Sequence, residues 1–184
     1  PIDIALEYFE SGDITVVNAT DLDAEATYAA GGIVAISDYG DVDITNDGNI
    51  TADAGYFYGY NALAAGIYAE AGYDATVNNS GSISAYAYGS YGGPARALGI
   101  YAVAGAFNGY GDAEIQNSGA IEVTTYSSSE AQSIGIAAYA EDGDVTVGNT
   151  GQIIATSTVY ADDYFTVSTA TGISGYSEYG DVAI

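Results

Sequence analysis

Short runs in which apolar and polar residues alternate recur along this chain. The stretch GDVTVGNTGQIIA at residues 143–155 closely repeats GDVDITNDGNITA at 40–52, and GDAEIQNSGAIEV at 111–123 follows the same pattern. Alternation of this kind is typical of β-strands that bury one face. Because the turn residues between the runs keep constant offsets, an internal repeat is the main feature of the sequence.

The repeats align on a turn position, with anchors at Gly12, Gly40, Tyr73, Gly111, Gly143 and Gly180. An aspartate directly follows every anchor. Six places after the anchor, the first five copies carry Asn18, Asn46, Asn79, Asn117 and Asn149. A Gly-Ile pair closes each copy and contributes Ile33, Ile67, Ile100, Ile136 and Ile173. The spacing predicts three short strands in each copy.

One such three-strand coil buries almost nothing alone, but coils stacked at about 4.8 Å pair each strand with its equivalents above and below. We therefore predict a single all-β domain over residues 1–184, a parallel β-helix (β-solenoid) of about five coils with variable Tyr-rich loops. The usual handedness of parallel crossovers favours right-handed coiling.

The coils are predicted to start near residues 12, 40, 73, 111 and 143. Residues 1–11 fit the end of a preceding coil, and residues 180–184 fit the start of a further one. Neither end shows the polar cap that a solenoid needs for solubility. Either the chain is part of a longer one, or identical subunits stack head to tail into filaments, which is the preferred alternative.

Stacking would turn the repeated asparagines and isoleucines into columns inside the tube. An inward Asn at a corner can donate to its own turn carbonyl and to the Asn of the next coil, which satisfies groups otherwise buried without partners. The Asn-x-Gly sequence is also common in turns, where Gly accepts a positive φ. The first copy has Thr20 in place of this Gly, so we expect its turn to be the least regular.

The chain has 25 acidic residues and one basic residue, Arg96, which gives a formal charge of −24. Binding to nucleic acid or to an anionic membrane is therefore electrostatically unfavourable. No apolar stretch approaches the roughly 20 residues of a membrane span. We expect neither partner, and we expect Arg96 to pair with a nearby carboxylate.

The chain contains no Cys, His, Met, Trp or Lys, so its chemistry is limited to carboxylates, hydroxyls and amides. Lyase chemistry has almost no candidate residues. A hydrolase needs two carboxylates at a defined separation, for which Asp162 with Asp163 or Glu141 with Asp142 are the candidates. We expect that the protein is not an enzyme and that it uses no organic cofactor.

Calcium is the one metal that the composition suits, since it takes six to eight oxygen ligands. The candidate ligands are Asp142, Asp144, Asp162 and Asp163. The glycine-rich nonapeptide calcium repeat is missing. A solvated acidic edge is the preferred interpretation.

Tyrosine is in excess, with 19 residues. Candidate surface contacts lie in the variable segments at Tyr56, Tyr58, Tyr60, Tyr86, Tyr88 and Tyr91. Tyr68 and Tyr101 directly follow Gly-Ile, where stacked rings would brace neighbouring coils. Exposed tyrosines bind sugar faces or a neighbouring fibre, although covering their own sheet is the preferred interpretation.

The phrase G-D-V-x-V-x-N-x-G-x-I-x-A, followed by A-x-G-I-x-A-x-A, resembles the repeats of bacterial autotransporter passengers and of large surface adhesins and fibre proteins with β-helical stalks. The resemblance covers residues 12–184. It implies an extracellular structural or adhesive protein that forms or contributes to a bacterial surface fibre or filament, self-associating end to end or forming part of a longer chain. The alternatives are a β-helical protein that binds or degrades polysaccharide, and a calcium-binding adhesin module.

Overall fold

A computed structural model describes residues 2–56, 61–90, 92–107, 109–160 and 166–184. Side chains are described from residue 11 onward, except that of Tyr56. All regular secondary structure in these ranges is β-strand. A helix long and apolar enough to cross a membrane is not found there.

The strands are short and recur in sets of three. In chain order they are β1 Ile2–Glu10, β2 Ile14–Asn18, β3 Leu22–Ala26, β4 Ala29–Ser37, β5 Val42–Asn46, β6 Ile50–Tyr56, β7 Ala62–Ala71, β8 Ala75–Asn79, β9 Ile83–Gly89, β10 Ala95–Ala104, β11 Ala113–Asn117, β12 Ile121–Ser127, β13 Glu130–Ala140, β14 Val145–Asn149, β15 Ile153–Val159, β16 Val167–Ser177 and β17 Val182–Ala183. Each set matches one copy of the sequence repeat.

The strands form three parallel sheets, each of which takes every third strand. The first sheet has the order β1-β4-β7-β10-β13-β16, the second β2-β5-β8-β11-β14-β17, and the third β3-β6-β9-β12-β15. Consecutive strands therefore lie in different sheets, and the chain winds around a common axis. The parallel β-solenoid predicted from the repeat is confirmed.

The register of the sheets keeps equivalent residues directly above one another. In the second sheet Asn46 pairs with Asn79, which pairs with Asn117. In the first sheet Ile67 pairs with Ile100, which pairs with Ile136. The differences in length between copies are taken up by the connections, chiefly those between the second and third strands, so the sheets themselves do not slip.

The core is a narrow tube filled by isoleucine, valine and many alanines. Ile33, Ile67, Ile100 and Ile136 have no solvent exposure. The glycine before each of these isoleucines is required by packing, because a Cβ at Gly99 would overlap with the carbonyl of Gly135 and with the side chain of Ile121. This close approach lets the first and third sheets meet without a cavity.

Hydroxyl groups replace alanines in the core toward the C-terminal end. Thr125 pairs in register with Ala87 on one side and with Ser157 on the other. The Thr125 and Ser133 hydroxyls are hydrogen bonded to each other at 3.0 Å, and Ser133 donates to the carbonyl of Thr156 at 2.6 Å. The hydroxyls therefore have partners inside the tube, as buried polar groups require.

Candidate functional site

The corner between the second and third sheets, here called the Asn corner, is formed by the five asparagines of the repeat and the turns that follow them. Each Asn side-chain amide donates to the carbonyl two residues on, at 2.7–2.8 Å. The second N–H of each of the first four asparagines donates to Oδ1 of the next Asn at 2.7 Å. The column is therefore a continuous ladder of amide hydrogen bonds along the axis.

The glycine of the Asn-x-Gly turn is needed for a reason different from the predicted one. Positive φ angles among the described glycines occur at Gly92, Gly105, Gly109 and Gly111, none of which belongs to this turn. A Cβ at Gly81 would instead overlap with the carbonyl oxygen of Gly48 in the coil below, and Gly48, Gly119 and Gly151 have the same relation to the preceding turn. Close stacking of backbones, not backbone conformation, selects glycine here.

The turn at Thr20 is as regular as the others, so the expectation that it would be the least regular was wrong. Asn18 Nδ2 donates to the Thr20 carbonyl at 2.8 Å, as Asn46 does to Gly48 at 2.7 Å. No turn lies beneath Thr20 in the described part of the chain, and the residue is exposed. A side chain therefore fits at this one copy.

The aspartates that follow the anchors form a second ladder, on the outside. The carboxylate of one aspartate accepts the backbone N–H of the aspartate in the next coil, at 2.8–3.1 Å, in five successive steps from Asp13 through Asp41, Asp74, Asp112 and Asp144 to the N–H of Asp181. These N–H groups precede a strand and have no partner within the sheet. The column of aspartates therefore stabilises the stack by accepting these N–H groups, a role that the net charge alone does not indicate.

The candidate calcium ligands are only partly described. Asp144 Oδ1 accepts the N–H of Asp181 at 2.8 Å, and the backbone N–H of Asp142 donates to Gly109 at 2.8 Å. Asp162 and Asp163 lie outside the described residues. Across the part of the chain that is described, no three acidic side chains form a group that could hold a metal ion.

Tyrosine rings pair between coils on the outer faces, three pairs between neighbouring coils and one, Tyr88 with Tyr160, across two coils. Tyr68 and Tyr101 stack with their centroids 5.2 Å apart, as expected from their shared offset. Further stacked or tilted pairs are Tyr139 with Tyr176, Tyr88 with Tyr160, and Tyr86 with Tyr126. Burial, followed by the hydrogen bond to Glu70 at 2.7 Å, raises the pKa of the Tyr68 phenol.

The six tyrosines predicted to make surface contacts therefore divide into two groups. Tyr86 packs against Tyr126 of the same sheet, and Tyr88 packs against Tyr160, which directly follows β15. Tyr58, Tyr60 and Tyr91 lie outside the described residues, and of Tyr56 only the backbone, in β6, is described. The most exposed of the described tyrosines are instead near the anchors, at Tyr39, Tyr110 and Tyr179, and the anchor Tyr73 is also exposed.

The single cation, Arg96, contacts an aromatic ring instead of a carboxylate. Its guanidinium carbon lies 5.9 Å from the centroid of the Tyr101 ring. No ion pair links Arg96 to an acidic group among the described residues, contrary to the expectation of a local pair. Arg96 also lines a cleft of about 390 Å³ together with Leu63, Glu130 and Gln132.

Acidic residues of neighbouring strands face each other on the outside of the third sheet. Glu25 in β3 pairs in register with Asp53 in β6, and Asp53 pairs with Tyr86. Partial burial, followed by repulsion from Glu25 and Asp23, raises the pKa of Asp53. Like charges on adjacent strands destabilise a sheet, so this column carries an electrostatic cost.

A groove of about 290 Å³, lined mainly by residues with amide or hydroxyl side chains, runs along the outside of the Asn corner. Its floor is the outward column Thr45, Asn78 and Gln116, and its rim is the turn column that includes Ser80 and Ser118. Amide and hydroxyl groups at successive coils repeat at about 4.8 Å. Such a row can hydrogen bond to an extended polar ligand.

Sequence reasoning missed the role of Thr20, the hydrogen bonds of the aspartate ladder and the hydroxyls in the core. Thr20 carried a usable signal, since it is the one departure from glycine in that column. The chain matches no family model, no curated protein and no solved structure in comparisons with known proteins. Its function is therefore inferred from its own geometry.

Proposed function

We propose that this chain is a rigid structural segment of an extracellular bacterial fibre or adhesin, in which the solenoid acts as a stalk. The observation that carries the proposal is the unbroken parallel register of the sheets. In the second sheet this register runs from Ile14 in β2, through every copy, to Val182 in β17. A stack of this kind lengthens by about 4.8 Å for each added coil.

Rigidity along the axis is supported by the direction of the hydrogen bonds. The backbone bonds of all three sheets, the Asn ladder and the aspartate ladder run from coil to coil, parallel to the axis. Bending the tube would break several of these bonds at one level. A stalk that transmits force needs this property.

The outer surface suits a fibre exposed to water. Its net charge of −24 keeps neighbouring fibres apart and soluble. The exposed tyrosines near the anchors supply aromatic rings with a hydroxyl at the tip, which suit adhesive contacts with sugars or proteins. The side surface would therefore make the adhesive contacts, and the stacked coils would give the fibre its length.

Electron microscopy of the native material tests this proposal. We expect long, thin fibres with an axial repeat of about 4.8 Å in diffraction. Antibody labelling of intact source cells should decorate the cell surface. Compact, monodisperse particles, or labelling that appears only after permeabilisation, would contradict the proposal.

Polysaccharide binding is a second candidate function, favoured by the groove along the Asn corner. Thr45, Asn78 and Gln116 repeat polar groups at the strand spacing, and a linear glycan could bridge them. Nuclear magnetic resonance titration with soluble bacterial polysaccharides would test it. Binding should weaken in the double variant Asn78→Ala and Gln116→Ala but not in the control Thr76→Ala, which lies outside the groove.

A further inference from the structure

The Asn ladder has a direction, and its two ends therefore differ. At every step the amide N–H of one Asn donates to the Asn of the following coil, from Asn18 to Asn46 and onward to Asn149. An internal Asn such as Asn79 thus accepts from the coil below and donates to the coil above. Within residues 11–184 the ladder begins at Asn18, which has no Asn beneath it, and runs to Asn149.

Thr20 supplies the donor at the first copy. Its hydroxyl donates to Asn18 Oδ1 at 3.0 Å, and its backbone N–H donates to the same oxygen at 3.2 Å. In the later copies Oδ1 accepts from the preceding Asn instead. At Asn18 the threonine hydroxyl therefore takes the place that the amide group of the preceding Asn has in the later copies.

The carbon skeleton of Thr20 also occupies the space that a coil below would need. At Gly48, Gly81, Gly119 and Gly151 an added Cβ would overlap with the backbone carbonyl of the preceding turn. Thr20 takes the equivalent place in a turn with the same Asn-to-carbonyl hydrogen bond. Its Cβ would overlap in the same way with any Asn-x-Gly turn placed directly beneath it.

We propose that Thr20 closes the N-terminal end of the Asn corner, so that a further coil of this repeat can be added there only at the C-terminal end. The ligand that fits the open end is a coil with Asn-x-Gly at this corner. The first coil of a second copy does not fit, because it carries Thr20 there and its Cβ would overlap with the carbonyl of Gly151. Asn149 donates one N–H to the Gly151 carbonyl, and by the repeat its second N–H is directed to the next Asn. Any segment beneath the first coil must follow another path at this corner.

The opposite end of the second sheet already receives a strand of this kind. β17 pairs with β14 in the register of the repeat, through Val145 with Val182. The backbone N–H of Asp181 donates to Asp144 Oδ1 at 2.8 Å, which continues the aspartate ladder. Extension at this end therefore uses contacts that the earlier coils make.

Two insertion variants of identical composition test the steric part of the proposal. A second copy of residues 111–142, a complete coil with the sequence Asn117-Ser118-Gly119 at its corner, is inserted either after Ser11 or after Asp142. Only the insertion after Ser11 places a turn beneath Thr20. We expect its unfolding equilibrium constant, from chemical denaturation, to be roughly 100-fold higher than that of the other insertion.

Substitutions at Thr20 then assign the effect. In the insertion after Ser11, Thr20→Gly should remove most of the difference, and Thr20→Ala, which keeps Cβ, should not. In the insertion after Asp142, Thr20→Gly should bring no gain. Equal stability of the two insertions, equal rescue by Gly and Ala, or failure of the Ser11 insertion to fold even with Thr20→Gly would each overturn the proposal.

The hydroxyl part is tested in the chain without an insertion. Thr20→Val keeps the shape and removes the donor, so we expect hydrogen exchange of the Asn18 side-chain amide to accelerate about five-fold. Thr20→Ser should restore the slow exchange. Unchanged exchange in Thr20→Val would show that the hydroxyl does not complete the ladder.

Discussion

The two ends of the solenoid present the same columns of residues in different surroundings. At the N-terminal end Ile14 and Val16 are 5% and 3% exposed, whereas Val182 and Ile184, in the same columns at the C-terminal end, are 45% and 70% exposed. β1 pairs with β4 and also contacts β3, so the first coil is covered on one side, while no described strand lies above β17. The same column position is thus buried in β2, although β2 is itself an edge strand of its sheet, and exposed in β17.

The largest loss of stability is expected where alanine replaces a glycine that packs directly against the backbone of the neighbouring coil. A Cβ at Gly40 would overlap with the backbone of Gly12 and Asp13, whereas a Cβ at Gly12 meets nothing within 4 Å. We expect Gly40→Ala to lower the free energy of unfolding by about 3 kcal/mol or more. Gly12→Ala should change it by about 0.5 kcal/mol or less, measured by chemical denaturation.

A matched pair of glycines at the C-terminal end, one internal and one terminal, serves as the control for this prediction. A Cβ at Gly135 would overlap with the carbonyl of Gly172 and with the side chain of Ile153, whereas a Cβ at Gly172, in the last coil, would meet nothing within 4 Å. Gly135→Ala should therefore be costly and Gly172→Ala tolerated. Similar costs for the internal and terminal members of both pairs would show that stacking distance does not select these glycines.

The next effect concerns the amide ladder. Asn79→Ala removes a side chain that donates at 2.7–2.8 Å to two acceptors and accepts from Asn46. Leaving buried partners unsatisfied costs about 1–3 kcal/mol each, so we expect a loss of roughly 3 kcal/mol. Asn149→Ala leaves only Asn117 and Gly151 without a partner, near the open end, and should cost about 1 kcal/mol.

Thermal and chemical denaturation of both variants would check this order. The isosteric variant Asn79→Asp should be at least as destabilised as Asn79→Ala, because it places a carboxylate against Asn117 Oδ1 and cannot donate. If Asn149→Ala proved as costly as Asn79→Ala, the ladder would not differ between its middle and its end.

The fold was predictable from the sequence because equivalent residues in successive coils of a solenoid have the same surroundings. The Asn and Ile columns follow from constant offsets, and parallel register follows from them without any knowledge of loops. The reason for glycine at the Asn corner was not predictable in the same way. A sequence shows that Gly48 and Gly81 are equivalent, but the carbonyl that each would strike belongs to a neighbouring coil whose distance only coordinates supply.

The surface was less predictable than the core. Arg96 was expected to find a carboxylate among 25 acidic residues, but its neighbour in space is the Tyr101 ring. Tyr101 lies in the same strand as Arg96, β10. An outward side chain can meet several neighbours or solvent, and the repeat does not show which. The roles of Tyr58, Tyr60, Asp162 and Asp163 stay predictions.

A smaller difference in stability is expected between the same substitution, Val to Ala, at the two ends of the solenoid. Val16→Ala removes two buried methyl groups, for which we expect a loss of about 2 kcal/mol. Val182→Ala makes the same change where the side chain is about half exposed. It should cost less than about 1 kcal/mol in the same denaturation measurement. Equal losses would mean that the C-terminal end is covered in solution.

The smallest effect is the contribution of one residue of the third sheet, Asp53, to the pH dependence of stability. Burial and the neighbours Glu25 and Asp23 raise the pKa of Asp53, so the folded state binds this proton more tightly than the unfolded chain does. Its contribution to stability is therefore fully present below the unfolded pKa and is lost as pH rises through the raised folded pKa. Asp53→Asn should remove this part of the pH dependence and slightly stabilise the protein at neutral pH.

Denaturation midpoints between pH 3 and pH 7 would measure this effect. Asp43→Asn changes the net charge equally on the second sheet and serves as the matched control. The local origin of the effect would be refuted if the two variants flattened the pH profile to the same extent.

The central claim, that successive copies lie directly above one another, is tested most directly by distances between spin labels. The chain has no cysteine, so pairs can be introduced at outward positions of the second sheet, with Thr15 paired in turn with Glu114, Thr146 and Ala183. We expect the distance to rise by about 4.8 Å for each coil and to reach about 24 Å between Thr15 and Ala183. Distances that do not increase evenly with the number of coils would contradict it.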